Sequence, residues 1–154
     1  MELIVSLALF SIVVIVVLNL FSMGISSQRK VLALQKVQEN ARFILEFMAK
    51  EIRMGVVSTA TSSSLTIIRP GGEVIDYAFT GQNIQRTSDT SSGPINSADV
   101  IVIGSFYVNG LGNTDGLEPK VTIAVSVQGQ GTKAEEQARI DLQTTLSQRT
   151  LDLP

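Results

Sequence analysis

Apolar and polar positions divide the 154-residue chain into three stretches with different periods. Residues 3–23 read LIVSLALFSIVVIVVLNLFSM, with Ser6, Ser11 and Asn19 among the few polar interruptions of the apolar run and no charge inside it. As a helix, a run of this length rises about 31 Å, roughly the hydrocarbon core of a bilayer. Residues 26–54 then switch to a helical period. Val31, Leu34, Val37, Ala41, Ile44, Leu45, Met48 and Ile52 recur three and four apart and form one stripe. Gln, Lys, Arg and Glu occupy most of the remaining positions, and Glu46 and Lys50 are spaced for a favourable pair. The first Pro is Pro70, and Gly24 is the only Gly before Gly55. The pattern therefore predicts one helix over residues 2–54, roughly 80 Å long, with Gly24 and then Asn19 as its weakest points.

Beyond Gly55 the period shortens to two. A Ser/Thr-rich linker is expected over residues 58–64, followed by strands over 64–69 (SLTIIR), 73–80 (EVIDYAFT) and 83–87. Pro70-Gly71-Gly72 and Gly81-Gln82 supply turns, and 88–98 reads as a polar loop. Residues 100–108 (VIVIGSFYV) form the most apolar strand, expected at the centre of the sheet. In 121–127 (VTIAVSV), Val121, Ile123, Val125 and Val127 share a face. Residues 138–146 close the sheet with Ile140, Leu142 and Leu146 inward. The prediction is an α+β fold: a long N-terminal helix packed through its stripe on an antiparallel sheet of about four to six strands. Its divisions are an apolar helix over 1–25, an amphipathic continuation over 26–55 and a β-sheet head over 56–154.

Three structures could hold residues 3–23. A secretory signal has a basic n-region, a shorter apolar core and a small-residue cleavage site, whereas here an acidic residue, Glu2, precedes a longer run. A buried core helix needs a larger protein around it. A membrane-spanning helix fits best. Arg29 and Lys30 follow the span, so the positive-inside rule applied to this chain alone would place the head in the cytoplasm. Glu2 has two readings. It either caps the helix in the solvated interface, where the dipole favours a carboxylate, or it awaits a cation inside a helical bundle.

Composition narrows the chemistry. With no Cys and no His, disulfides, zinc-finger patterns, Cys nucleophiles and His-based catalysis are excluded. No GxxxxGK phosphate cradle occurs. Glu73 and Asp76 are three apart on a strand, hence on opposite faces, which argues against a carboxylate dyad. One loop, 112–118, offers oxygen ligands for Ca²⁺ at Asn113, Asp115 and Glu118. Its spacing is not that of an EF-hand, and Asn-Thr-Asp-Gly is common turn chemistry, so a plain loop is the preferred reading. Nucleic acid is not expected as a partner: apart from Arg69, Arg86 and Lys133 the head offers few cations, with six basic residues against ten acidic over 58–154. The expectation is of a protein that is not an enzyme and has no cofactor.

The N-terminal run Glu2-Leu3-Ile4-Val5-Ser6-Leu7-Ala8-Leu9-Phe10-Ser11-Ile12 resembles the start of mature type IV pilins and type II secretion pseudopilins. Residues 38–53 are similar to the end of the long helix in minor pilins and the larger minor pseudopilins, and 142–149 to the closing strand of minor pilins. The resemblance implies a pilin fold and a filament subunit, most similar to a minor pilin. It implies that Glu2 pairs with the terminal amine of a neighbouring subunit and sets axial register. Leu3, Ile4, Leu7, Phe10 and Val14 would pack in the filament core. Implied partners are other pilin subunits, an inner-membrane assembly platform, the lipid bilayer and, for the precursor, a prepilin peptidase. Met1 stands where the family carries an N-methylated Phe and the residues up to the Glu, so the Gly-Phe processing site lies outside this chain. The family's basic leader would reverse the topology and make the head extracytoplasmic, first at the inner membrane and then on an extracellular pilus. Some pseudopilins bind Ca²⁺ in a late loop. Two alternatives stay open: a minor pseudopilin of type II secretion, and a single-pass membrane receptor or adhesin domain that never polymerises.

Overall fold

The computed structural model describes residues 2–112 and 118–149. One helix, α1 (Glu2–Met54), runs without a break through Gly24 and Asn19. Its 53 residues give a rod of roughly 80 Å. Glu2 in the first turn and Arg53 in the last complement the helix dipole. Gly55 ends it, its N–H reaching back to the Glu51 carbonyl at 2.9 Å. A Cβ at Gly55 would lie 2.3 Å from Ile67 Cγ2, so the chain can leave the helix this close to the sheet only without a side chain there.

Eight strands follow in two antiparallel sheets. The first is a five-stranded meander of β1 (Val56–Ala60), β2 (Ser64–Ile68), β3 (Val74–Thr80), β4 (Asn83–Ser88) and β5 (Ser92–Pro94). The second is three-stranded, in the order β6 (Val100–Asn109), β7 (Lys120–Gly129), β8 (Arg139–Ser147), with a 3-10 turn at Ala134–Glu136 before β8. The α+β class is as the pattern predicts, but the head contains two sheets where one was expected. The expected linker holds β1, because Val56, Val57 and Thr59 are β-branched and pair with Ile68, Ile67 and Thr66 around a bulge. Thr61 and Ser64 close that hairpin, with Thr61 N–H on the Ser64 carbonyl at 2.8 Å. The expected 88–98 loop contains β5, a short edge strand against β4.

The apolar strand β6 is an edge of its sheet, and β7 is the centre. Its apolar character has another origin: that edge abuts the first sheet. Val102 N–H reaches the Gln82 carbonyl and Phe106 N–H the Ser62 carbonyl, both at 2.9 Å. At this seam Phe79 and Phe106 pack with ring centroids 4.8 Å apart. The Phe79 ring lies over Gly104, where a Cβ would approach Phe79 Cζ to 2.5 Å.

The core sits between the two sheets and the C-terminal half of α1. Val37, Ala41, Ile44, Met48 and Ile52 are buried against Leu65, Ile67, Ile75, Tyr77, Ile84 and the inner row Val121, Ile123, Val125 and Val127. Each fully buried aliphatic side chain contributes about 1.5–3 kcal/mol. The stripe is buried over a shorter stretch than its period suggests: Val31 is 55% exposed and Leu34 39%. At this height it is the half-buried Ala33 that shares a groove with Val100 and Gly129 of the second sheet. Leu146 is buried and Ile140 half-buried, while Leu142 remains exposed at the open margin of β8.

Candidate functional site: an unpartnered apolar helix half and the clamp that orients it

The N-terminal half of α1 buries none of its surface deeply against the described residues. Every residue from Glu2 to Ile25 is exposed, from Leu3 at 85% to Val14 at 37%. This helix is long and apolar enough to cross a membrane, and none of its most apolar window is buried within the chain. Leu3, Leu7, Phe10 and Val14, spaced four, three and four, lie along one stripe, with Ile4 on its flank. The hydroxyls of Ser6 and Ser11 are internally satisfied. Ser6 Oγ donates to the Glu2 and Leu3 carbonyls at 2.9 and 3.1 Å, and Ser11 Oγ to the Leu7 carbonyl at 2.8 Å. Back-bonded in this way, Ser6 and Ser11 present no unmet donor to an apolar surrounding. Glu2 sits in the first turn, and no cation among the described residues pairs with it.

The other half of α1 is fixed by a charge cluster. Glu51 is only 2% exposed, on the helix face that meets the first sheet. Arg86, from β4, grips its carboxylate with two donors, Nε at 3.2 Å and Nη2 at 3.1 Å. Arg69, just past β2, donates from Nη2, and the Tyr77 hydroxyl of β3 donates to Glu51 Oε2. Arg69 also holds Glu73 at 3.0 Å, and the Arg86 guanidinium lies 5.9 Å from the Phe47 ring centre. Burial works to raise the Glu51 pKa, but the Arg86 and Tyr77 hydrogen bonds and the two arginine charges outweigh it and hold the carboxyl below its usual range. Burial first, and then the bond to Glu51, push Tyr77 far upward. The Glu51 hydrogen bond raises Arg86.

This cluster was not singled out by sequence. Its signal is nonetheless present: Glu51 falls three residues after Met48 on the apolar stripe, where a carboxylate must find partners. Arg69 and Arg86, considered above as cations for nucleic acid, are engaged by Glu51. Lys133 lies far from them, at the base of the head beside Ser22 and Arg29. Asp76 and Glu73 do not meet, since Asp76 accepts from Thr66 Oγ1 at 2.6 Å while Glu73 faces Arg69. Of the calcium candidates, Asn113 and Asp115 lie outside the described residues. Glu118 is half-buried in a groove that also includes Lys50, Arg53 and Arg149. Among the described residues no three acidic side chains gather as a metal site would require.

No family, no curated protein and no solved structure matches this chain. What the molecule offers chemically is thus read from its own surfaces: an apolar rod, and a head held on it at a fixed rotation.

Proposed function

We propose that this protein is a structural subunit of a type IV pilus, of the minor-pilin kind, rather than an enzyme. The observation that supports this reading best is the run of exposed apolar residues from Leu3 to Met23, headed by Glu2. Roughly half of a 53-residue helix leaves its apolar surface uncovered, and such a surface needs lipid or other apolar helices around it. Before assembly the bilayer covers it and the head stands outside the membrane. During assembly Leu3, Ile4, Leu7, Phe10 and Val14 pack against the same helices of neighbouring subunits. Glu2 then finds a cation at the end of an adjacent helix, which relieves the cost of drawing a carboxylate into an apolar core and fixes the axial register.

The test is Glu2→Ala in cells that build filaments, followed by shearing and quantification of the subunit. The expected outcome is membrane insertion at the normal level with incorporation reduced at least tenfold. Normal incorporation of the variant would sink the register mechanism. A chain that stays in the membrane and never enters sheared filaments, even as wild type, would instead support a single-pass receptor or adhesin domain.

A further inference from the structure

We propose that Arg29, Lys30 and Lys133 together bind the phosphates of anionic phospholipid headgroups at the membrane-facing base of the head, an inference that rests on the membrane reading of residues 3–23. The three cations come from two distant parts of the sequence. Arg29 and Lys30 lie one to two turns beyond Met23 on α1, and Lys133 immediately precedes the 3-10 turn Ala134–Glu136. The fold brings that turn down against the helix. Ser22, Ile25, Ser26, Arg29, Lys133 and Ala134 line a shared open groove of about 510 Å³. Ser22 belongs to the apolar run itself, so Lys133 stands at the level where that run ends. Ser26 is the first half-buried residue of the helix.

The heights suit a headgroup layer. Arg29 is six residues past Met23, about 9 Å along the axis. The polar region of one leaflet is roughly 5–7 Å deep, and screening acts over about 8–10 Å. Extended Arg and Lys side chains therefore reach the phosphates.

The cations are also available. Among the described residues Lys30 and Lys133 make no ion pair, and Arg29 meets Glu136 only at 3.9 Å with both side chains substantially exposed. Lys36, the next cation up the helix, is engaged by Asp99 at 3.4 Å and is left out of the site. Glu136 tempers the field, so the site favours a discrete phosphate between Arg29 and Lys133 over a diffuse polybasic attraction. Arg supplies a planar fork for phosphate oxygens, and the lysines supply point charges.

The experiment reconstitutes the full chain in phosphatidylcholine vesicles and compares spin-labelled phosphatidylglycerol with spin-labelled phosphatidylcholine in the lipid shell around the protein. Wild type is expected to prefer phosphatidylglycerol. Lys133→Gln should reduce the preference about fivefold, the worth of one cation near an anionic surface. Lys120→Gln, at the far end of β7, should leave it unchanged. Equal association of the two lipids with wild type would overturn the proposal, as would a full preference in Lys133→Gln. Carbonate extraction of each sample separates the two claims. Wild type released by carbonate overturns the membrane reading and this site with it, whereas retained protein without lipid preference overturns this site alone.

Discussion

At Glu51 a single side chain decides how the helix presents its head. Two arginines and a tyrosine from three segments of the first sheet converge on one carboxylate. Rotation of α1 by one residue would withdraw it from all three. Removing the carboxylate strands Arg86, which is largely buried, so Glu51→Ala should destabilise the head by about 3 kcal/mol, measured by chemical denaturation. Glu51→Gln should cost less. The pH dependence follows from the directions of the shifts. Because the folded-state pKa of Glu51 lies below its ordinary value of 4.5, its contribution is complete above that pH and is lost as pH falls through the folded value. Tyr77 is shifted upward, so its contribution is complete below its ordinary value of 10 and is lost only at more alkaline pH. Stability should therefore be flat between those limits, and the acid limb should be shallower in Glu51→Gln. An acid limb identical to that of wild type would remove Glu51 from this role. The cluster escapes a sequence reading because nothing local pairs residue 51 with 69, 77 and 86. Only the topology does.

The elements divide by how local their causes are. The helix is legible in advance because apolar residues without charge, Gln/Lys/Glu-rich positions and the absence of Pro act within a few turns. β7 is legible for the same reason, since four aliphatic residues alternate along it. β1 and β5 are not, because short hydroxyl-rich segments become strands only when a neighbour offers its edge. The rank of β6 is misjudged on sequence because two sheets press on it, and apolarity does not say from which side burial comes. Its Gly104 gives a test of that seam. Gly104→Ala would drive a methyl to 2.5 Å from Phe79 and 2.6 Å from the Ala124 carbonyl, and should destabilise the head by about 1–3 kcal/mol. The exposed half of α1 contributes nothing to the core, so removing residues 2–21 should leave a soluble head whose stability changes by no more than about 0.5 kcal/mol. A head that unfolds on this truncation would show that the rod supports it.

As a whole, the molecule is a head fastened near one end of a rod whose other end is apolar on every side. The residues named on sequence for the assembly site, Glu2, Leu3, Ile4, Leu7, Phe10 and Val14, lie together at that free end. None of the described residues covers them, and the apolar run is legible in the sequence because it needs no tertiary partner to define it. Orientation of the head about the rod was not legible, because it depends on the Glu51 clamp. On the proposed reading the apolar rod is the shared core of a filament. The most direct measurement is the distribution of the wild-type chain between the membrane and surface filaments sheared from cells. Intact chain is expected in the filament fraction, resistant to washing with high salt because the contacts that hold it are apolar. Quantitative retention in the membrane, with none in the filaments, would contradict it.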